Sequence, residues 1–315
     1  MPAAPLPKTP DAAAAFLQAR LGSDPGPVEE VGAGAWSRCF GYRDGGAERV
    51  VRFGRHRQDF EKDRRAVRFR APGLPVPEVH AIGRAGDGWF AISTRAFGEP
   101  LEALPDGGWR ATLPSLIAAL DALRSCDLSG TAGFGEWDAG GRAPFASWRD
   151  FLLAVDRDRP AMRTHGWHRR LVESPLGDAS FRRGLECLEG VADAAPPAAR
   201  SLVHADLINR NVLVGVDHRI AAVLDWGCSL YGDFLYDLAW LEIWAPWHPP
   251  IEACEIRDRA VAHWTTVGLE VPDLEPRMRA CLLHIALVHL AYNAWTGDHE
   301  ALLAVDRRMA SLLDP

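Results

Sequence analysis

The segment from Val203 to Asp225 constrains this chain more than any other. It reads Val203-His204-Ala205-Asp206-Leu207-Ile208-Asn209-Arg210-Asn211, then two short apolar runs, then Val223-Leu224-Asp225-Trp226-Gly227. Leu202-Val203 reads as a strand entering a loop that presents Asp206. The runs Asn211–Val214 and Ile220–Leu224 read as a hairpin turning through Gly215–Arg219, which returns Asp225 close to Asn211. An Asp, an Asn five residues on and a second Asp at the neighbouring strand end suit phosphoryl transfer. One carboxylate orients an acceptor hydroxyl and takes its proton. The amide oxygen and the other carboxylate are the hard oxygens that Mg²⁺ takes alongside phosphate. His204 is expected to brace the loop.

The rest of the chain narrows the setting. Its 315 residues, 48% apolar and 24% charged, are enough for one large or two ordinary domains with a real core. Met1 to Lys8 lacks the continuous apolar run of a secretory leader. Ala280–Trp295 is apolar but short for a bilayer and carries His284, His289 and Asn293, so it reads as a buried helix. Six scattered cysteines without a C-x-x-C pair argue against a zinc cluster or disulfide framework and fit reduced thiols in a cytoplasm. Net charge is −7, and from Asp225 onward fourteen acidic residues face six arginines and no lysine. That half repels nucleic acid and attracts cations. The basic run Arg55–Arg70 reads as a solvated helix face. The expected partner is therefore a cationic small molecule, with no nucleic acid and no membrane. The sequence is silent on oligomeric state.

Glycine-punctuated strand segments at Val28–Val31, Arg38–Tyr42, Arg49–Phe53, Val79–Ile82 and Trp89–Ser93 follow a short helix, Asp11–Leu21. A charged helix, Gln58–Arg70, interrupts them. Beyond Gly98 and Pro100 helical periodicity dominates. Leu113, Leu116, Ile117, Leu120 and Leu123 line one face, and 147–155, 181–192, 236–243, 252–267 and 277–295 also read as helical. The expectation is an α+β chain with a β-rich N-terminal lobe over residues 1–97, a larger α-helical lobe over 98–315, and a site in the cleft between them.

Nucleotide binding cannot use a Walker loop. Only Lys8 and Lys62 are lysines, against thirty-three arginines, and no G-x-x-x-x-G-K-[ST] string occurs. Val31-Gly32-Ala33-Gly34-Ala35-Trp36-Ser37 reads either as an ordinary hairpin or as a turn whose backbone N–H groups approach phosphates.

With the central segment, Tyr231-Gly232-Asp233 and Tyr236-Asp237-Leu238-Ala239, together with Leu74-Pro75-Val76-Pro77-Glu78-Val79, the chain resembles the aminoglycoside phosphotransferase family. Asp127-Leu128-Ser129 with Gly133-Phe134-Gly135, and Trp148-Arg149-Asp150-Phe151, are similar to its hygromycin B-phosphorylating branch. The resemblance implies a bilobal protein-kinase-like fold, ATP and Mg²⁺ as cofactors, and an amino-sugar hydroxyl as acceptor. It implies Asp206 as the catalytic residue, Asn211 and Asp225 as metal ligands, and Asp233 and Asp237 as acids bracing the catalytic loop. Arg52 falls where most relatives carry a phosphate-holding Lys, with Asp63 as its helix partner and Glu61 the alternative. Gly32, Gly34 and Ser37 would cover the phosphates, and the segment from Ser93 to Arg95 would meet the adenine. Substrate contacts are expected from Asp206, Asp237, Glu242 and Trp244, since carboxylates and indoles suit ammonium groups and flat sugar faces. Two readings stay open: a kinase of another acceptor (a different aminoglycoside, a macrolide, a choline- or homoserine-like amine), and a pseudokinase-like binding module.

Overall fold

The computed structural model describes residues 4–22, 24–194 and 199–313. Met1 to Ala3, which carry part of the leader reading, lie outside the described residues. Helix α1 (Pro10–Leu21) starts at Thr9, whose hydroxyl accepts the Ala12 N–H, and ends at Gly22 in the left-handed conformation. Strands β1 (Glu29–Ala33), β2 (Ser37–Asp44) and β3 (Ala47–Gly54) follow, then helix α2 (Arg57–Ala66), then β4 (Val79–Ala85) and β5 (Gly88–Thr94). These five strands form one antiparallel sheet in the order β1-β2-β3-β5-β4. Its side chains alternate. Phe40, Val51, Phe53, Phe90 and Ile92 point to one face, where Ala13 and Leu17 of α1 complete a core. Arg52, between Val51 and Phe53, points to the other face.

The charged helix is shorter than its sequence pattern. Its α-helical part stops at Ala66 and continues as a 3₁₀ turn to Phe69. The two-residue strand β6 (Glu99–Pro100) precedes α3 (Asp106–Arg124), β7 (Gly135–Glu136), α4 (Trp148–Leu152), α5 (Trp167–Glu173) and α6 (Ala179–Ala194). Then come β8 (Ser201–Val203), the hairpin β9 (Val212–Val214) and β10 (Ile220–Val223), and β11 (Leu230–Gly232). The C-terminal helices are α7 (Leu235–Trp244), α8 (Pro249–Ala253), α9 (Ile256–Thr266), α10 (Leu274–Thr296) and α11 (His299–Leu313). The single helix expected over 252–267 is two, because Glu255 between them adopts φ 49°. No described helix is long and apolar enough to cross a membrane.

Two compact units result. One takes the chain up to Leu104, Asp138–Gly141 and Ile208–Cys228, so the β9–β10 hairpin belongs with the N-terminal sheet. Within it β9 pairs with β6, and Val223 N–H donates to the Pro75 carbonyl. The other unit takes Pro105–Trp137, Arg142–Leu207 and the chain from Ser229, with α10 packed on α5, α6, α7 and α11.

Candidate active site

In the sheet unit the register of the hairpin sets the chemistry. Val212 pairs with Val223, and one step out the Leu224 N–H donates to the Asn211 carbonyl at 2.7 Å. Asn211 and Asp225 therefore flank the same end of two paired strands, whose backbones run about 4.8 Å apart. Asp225 has φ 54°, a left-handed backbone that Asp tolerates better than most residues, and its side chain is 44% exposed. The exposed carboxylate faces Arg52, whose Nη1 lies 3.1 Å from Asp225 Oδ1.

Arg52 is reached from below by α2. Its Nη2 donates to Asp63 Oδ2 in a short contact, and its guanidinium lies 4.7 Å over the Phe60 ring. The other Asp63 oxygen accepts the Trp226 N–H at 2.8 Å. Glu61, the alternative partner, pairs instead with Arg57. Burial works to lower the Arg52 pKa, yet Asp63 and Asp225 outweigh it and raise it, so the guanidinium stays charged. Burial pushes the Asp63 carboxyl up, to about 6, against the pull of Arg52. The partners of Arg52 on adjacent strands are small: Cys39 on β2 and Ala91 on β5. Burial pushes the Cys39 thiol up to about 11, so it behaves as an apolar filler. Of the six cysteines, all free, only Cys228 is exposed.

Two further side chains join this cluster, and the sequence pattern points to neither. Lys62 is 1% exposed and donates from Nζ to the Gly227 carbonyl at 2.7 Å. Asp59 lies against Gly227: a Cβ added to that glycine would meet Asp225 Oδ1 at 3.3 Å and the Asp59 carboxyl carbon at 3.4 Å. Three carboxylates (Asp59, Asp63, Asp225) thus gather around two cations. The rarity of lysine is the one available signal for Lys62, in a chain that otherwise uses arginine.

A divalent cation fits this donor set. An amide oxygen and a half-exposed carboxylate sit at adjoining strand ends, and the surrounding charge is net negative. The glycine turn lies in the same unit, where the Gly34 N–H donates to the Ser37 carbonyl at 2.9 Å. A Cβ on Gly34 would meet nothing within 4 Å, and one on Gly32 would touch only the Cys39 Cβ at 4.0 Å. Neither glycine has positive φ, so neither the backbone nor internal crowding demands it. Ser93 is in β5 opposite Val50. Arg95 is committed to Glu29, with Nη1 2.7 Å from Oε1, and stacks 4.7 Å over Phe97.

In the helical unit the loop after β8 is held by α7. Asp237 is 2% exposed and its two oxygens accept the N–H groups of His204, at 2.9 Å, and Ala205, at 2.8 Å. Burial pushes its carboxyl up to about 7, against those two donors. Asp237, expected among the substrate contacts, is buried and has both oxygens on the loop that presents Asp206. Ala205 adopts φ 62° directly before Asp206, which is itself partly exposed. Asp233 caps the start of α7 and pairs with α10. Its Oδ1 accepts the Leu235 N–H, and both oxygens accept from Arg277 at 2.8 Å.

The other two expected substrate contacts also have partners of their own. Glu242 lies about 140° around α7 from Asp237. It faces Arg257 at 3.6 Å, and Arg308 donates to its carbonyl. Burial pushes its carboxyl up while Arg257 and Arg308 pull it down. Arg257 approaches only Oε1, and Oε2 is buried without a hydrogen-bond partner among the described residues. Trp244 packs edge-on to His289 at 4.6 Å, and against Trp240 and Trp247. Of that cluster Trp247, 42% exposed, presents the most surface.

A phosphoryl-transfer site of this design points to a family, which similarity to known proteins identifies. The model of the phosphotransferase enzyme family matches residues 28–279, and the chain belongs to that family. The chain is 33% identical over 273 residues to the hygromycin-B 4-O-kinase of Escherichia coli, covering 86% of this chain and 76% of that protein. A thermostable mutant of aminoglycoside phosphotransferase APH(4)-Ia, in ternary complex with AMP-PNP and hygromycin B, superposes with a TM-score of 0.83. Identity there is 32%, over 96% of this chain and 98% of that one. The GDP complex of aminoglycoside 2′-phosphotransferase-IIIa, at 16% identity and TM-score 0.65 over 97% and 99% of the two chains, shares the fold alone. The architecture is accordingly the kinase-like α+β fold of this family, and the chain is a small-molecule kinase.

Proposed function

We propose that the chain transfers the γ-phosphoryl group of ATP to a hydroxyl of a hygromycin B-type aminocyclitol, inactivating the antibiotic in the cytoplasm where ATP is available. The observation that carries this reading is the 33% identity to hygromycin-B 4-O-kinase over 86% of the chain. The Arg52–Asp63–Asp225 cluster beside Asn211 supports it.

In this reading Asn211 and Asp225 hold Mg²⁺. When bound, the ion screens the phosphate charge that builds as the terminal group is transferred. Arg52 grips phosphate oxygens with a planar fork where an ammonium would act as a point charge. Gly32, Gly34 and Ser37 leave their turn open to a phosphate, and the backbone from Ser93 to Arg95 meets the adenine. Asp206 orients the acceptor hydroxyl and accepts its proton as the new O–P bond forms and the bond to the β–γ bridging oxygen breaks, releasing ADP. The aromatic edge at Trp244 and Trp247 is a candidate for a sugar face, and Glu242 for an ammonium.

The test is a product assignment. Incubation with Mg-ATP and hygromycin B should yield ADP and a mono-phosphorylated antibiotic carrying phosphate on the 4-hydroxyl, read by ³¹P and ¹H NMR. Asp206→Ala should lose orders of magnitude in turnover while binding nucleotide as before. Near-full activity in that variant would remove Asp206 from its role. Turnover of another hydroxylated amine, with none on hygromycin B, would move the acceptor and leave the kinase chemistry standing.

A further inference from the structure

We propose that Lys62 is a positioning residue for the metal-binding loop, and that its ammonium sets how tightly the site holds a divalent cation. The inference rests on the reading above, in which Asp225 is a metal ligand.

The geometry is a clamp built from consecutive helix residues. Asp63 accepts the Trp226 N–H at 2.8 Å, and Lys62 donates to the Gly227 carbonyl at 2.7 Å. Helix α2 thus takes hold of one backbone donor and one backbone acceptor on neighbouring residues, directly after Asp225. With those two groups fixed, the chain is left little freedom to rotate about Asp225. Its left-handed backbone, φ 54°, is one that Asp tolerates but that still costs energy unless its surroundings favour it. The outcome of the clamp is the orientation of one carboxylate, turned toward Arg52 and half exposed.

Packing alone does not account for a lysine here. Lys62 is 1% exposed, and lysine is seldom fully buried because desolvating an ammonium is costly. Arginine outnumbers lysine thirty-three to two in this chain, yet a guanidinium is not used at this position. A compact ammonium on a flexible stem reaches a single carbonyl, whereas a guanidinium brings a broad fork of five donors. The neighbourhood also rewards the charge. Asp59 and Asp225 flank the position a Cβ would take on Gly227, whose carbonyl Lys62 holds, and Asp63 is its neighbour along the helix. In this arrangement Lys62 donates to a backbone carbonyl. It orients the residue that holds the ion, as outer partners of metal ligands do.

The test separates a positioning role from a merely structural one by measuring ADP affinity twice, in EDTA and at saturating Mg²⁺. Mn²⁺ binding to the full chain with ADP, followed by electron paramagnetic resonance, is the second readout. Lys62→Met should leave the affinity in EDTA within about twofold and reduce the Mg²⁺-dependent gain by about 10- to 100-fold, the range typical of outer-shell changes. Lys62→Gln, which keeps an N–H donor for the carbonyl without the charge, should recover only part of that gain; if the methionine chain does not fold, a wild-type Mg²⁺ dependence in Lys62→Gln overturns the proposal. A wild-type Mg²⁺ dependence in folded Lys62→Met overturns the proposal. So does an equal loss in EDTA and in Mg²⁺, which marks a lysine that only supports the fold. If the unaltered protein itself gains nothing from Mg²⁺, the metal reading fails and takes this proposal with it, a result distinct from either variant outcome.

Discussion

Each unit of the molecule contains an arginine joined to aspartate, and the two pairs are built to opposite ends. In the helical unit Arg277 and Asp233 are 3% and 1% exposed, and both oxygens of the acid are engaged by the guanidinium. Arg277 also donates to the Pro272 carbonyl and lies 5.4 Å over the Phe234 ring. In the sheet unit Arg52 is divided between Asp63 and Asp225, a third carboxylate stands by, and Asp225 remains 44% exposed. A saturated, dry pair has nothing left to offer a ligand and works as architecture. A pair with surplus negative charge and an open carboxylate is incomplete as architecture, and a bound cation with its phosphates would complete it.

The largest effect should come from breaking the closed pair. Arg277→Met leaves Asp233 buried with only the Leu235 N–H, and an unpaired buried carboxylate costs about 3–5 kcal/mol. Urea unfolding should show that loss; a change under about 1 kcal/mol would mean the pair is not architectural. The open pair should respond the other way. Asp225→Asn removes one of three clustered carboxylates, so stability should stay within about 1 kcal/mol of the unaltered chain. If Asp225 holds the metal as proposed, steady-state turnover with Mg-ATP should nevertheless fall by more than the ~100-fold upper range of outer-shell changes. A variant that is badly destabilised yet active per folded molecule would reverse the contrast between the two pairs.

The same contrast explains which parts of the molecule the amino-acid sequence makes legible. Asn211 and Asp225 can be read because strand pairing is local: one short hairpin fixes their spacing. Arg52 and Asp63 can be read because β3 and α2 are neighbours in sequence. Lys62 cannot, since Gly227, to which it donates, lies 165 residues away; the rarity of lysine singles the residue out but says nothing of its burial. Asp237, Glu242 and Trp244 are harder to place from sequence, for a related reason. Residue type shows that an acid or an indole has ligand chemistry, but not that two backbone N–H groups already engage Asp237, or that an arginine and a histidine ring lie beside Glu242 and Trp244. The short strands β6, β7 and β11 are too brief for a period of two to register. Helix α11 has a readable signal in Leu302, Val305 and Met309, spaced three and four apart on its buried face.

The smallest effect separates the units by pH. His284 on α10 is 3% exposed, shares a hydrogen bond at Nδ1 with the Tyr236 hydroxyl at 2.9 Å, and rests against Phe151. Burial lowers its pKa to about 3, from an ordinary value of 6.5. The folded chain therefore keeps this imidazole neutral, while the unfolded chain binds a proton below pH 6.5. Above that pH the residue has no effect on stability. As pH falls from about 6.5 toward 3 it costs up to about 1.4 kcal/mol per pH unit, or about 2 kcal/mol by roughly pH 5. His284→Gln keeps a polar partner for Tyr236 and cannot titrate, so its unfolding free energy should lose less between about pH 7 and pH 5 than that of the unaltered chain. The difference should be close to one proton in the slope. Parallel pH profiles for the two proteins would show that acid sensitivity arises elsewhere, and the buried, neutral character assigned to this side of the helical unit would have to be given up.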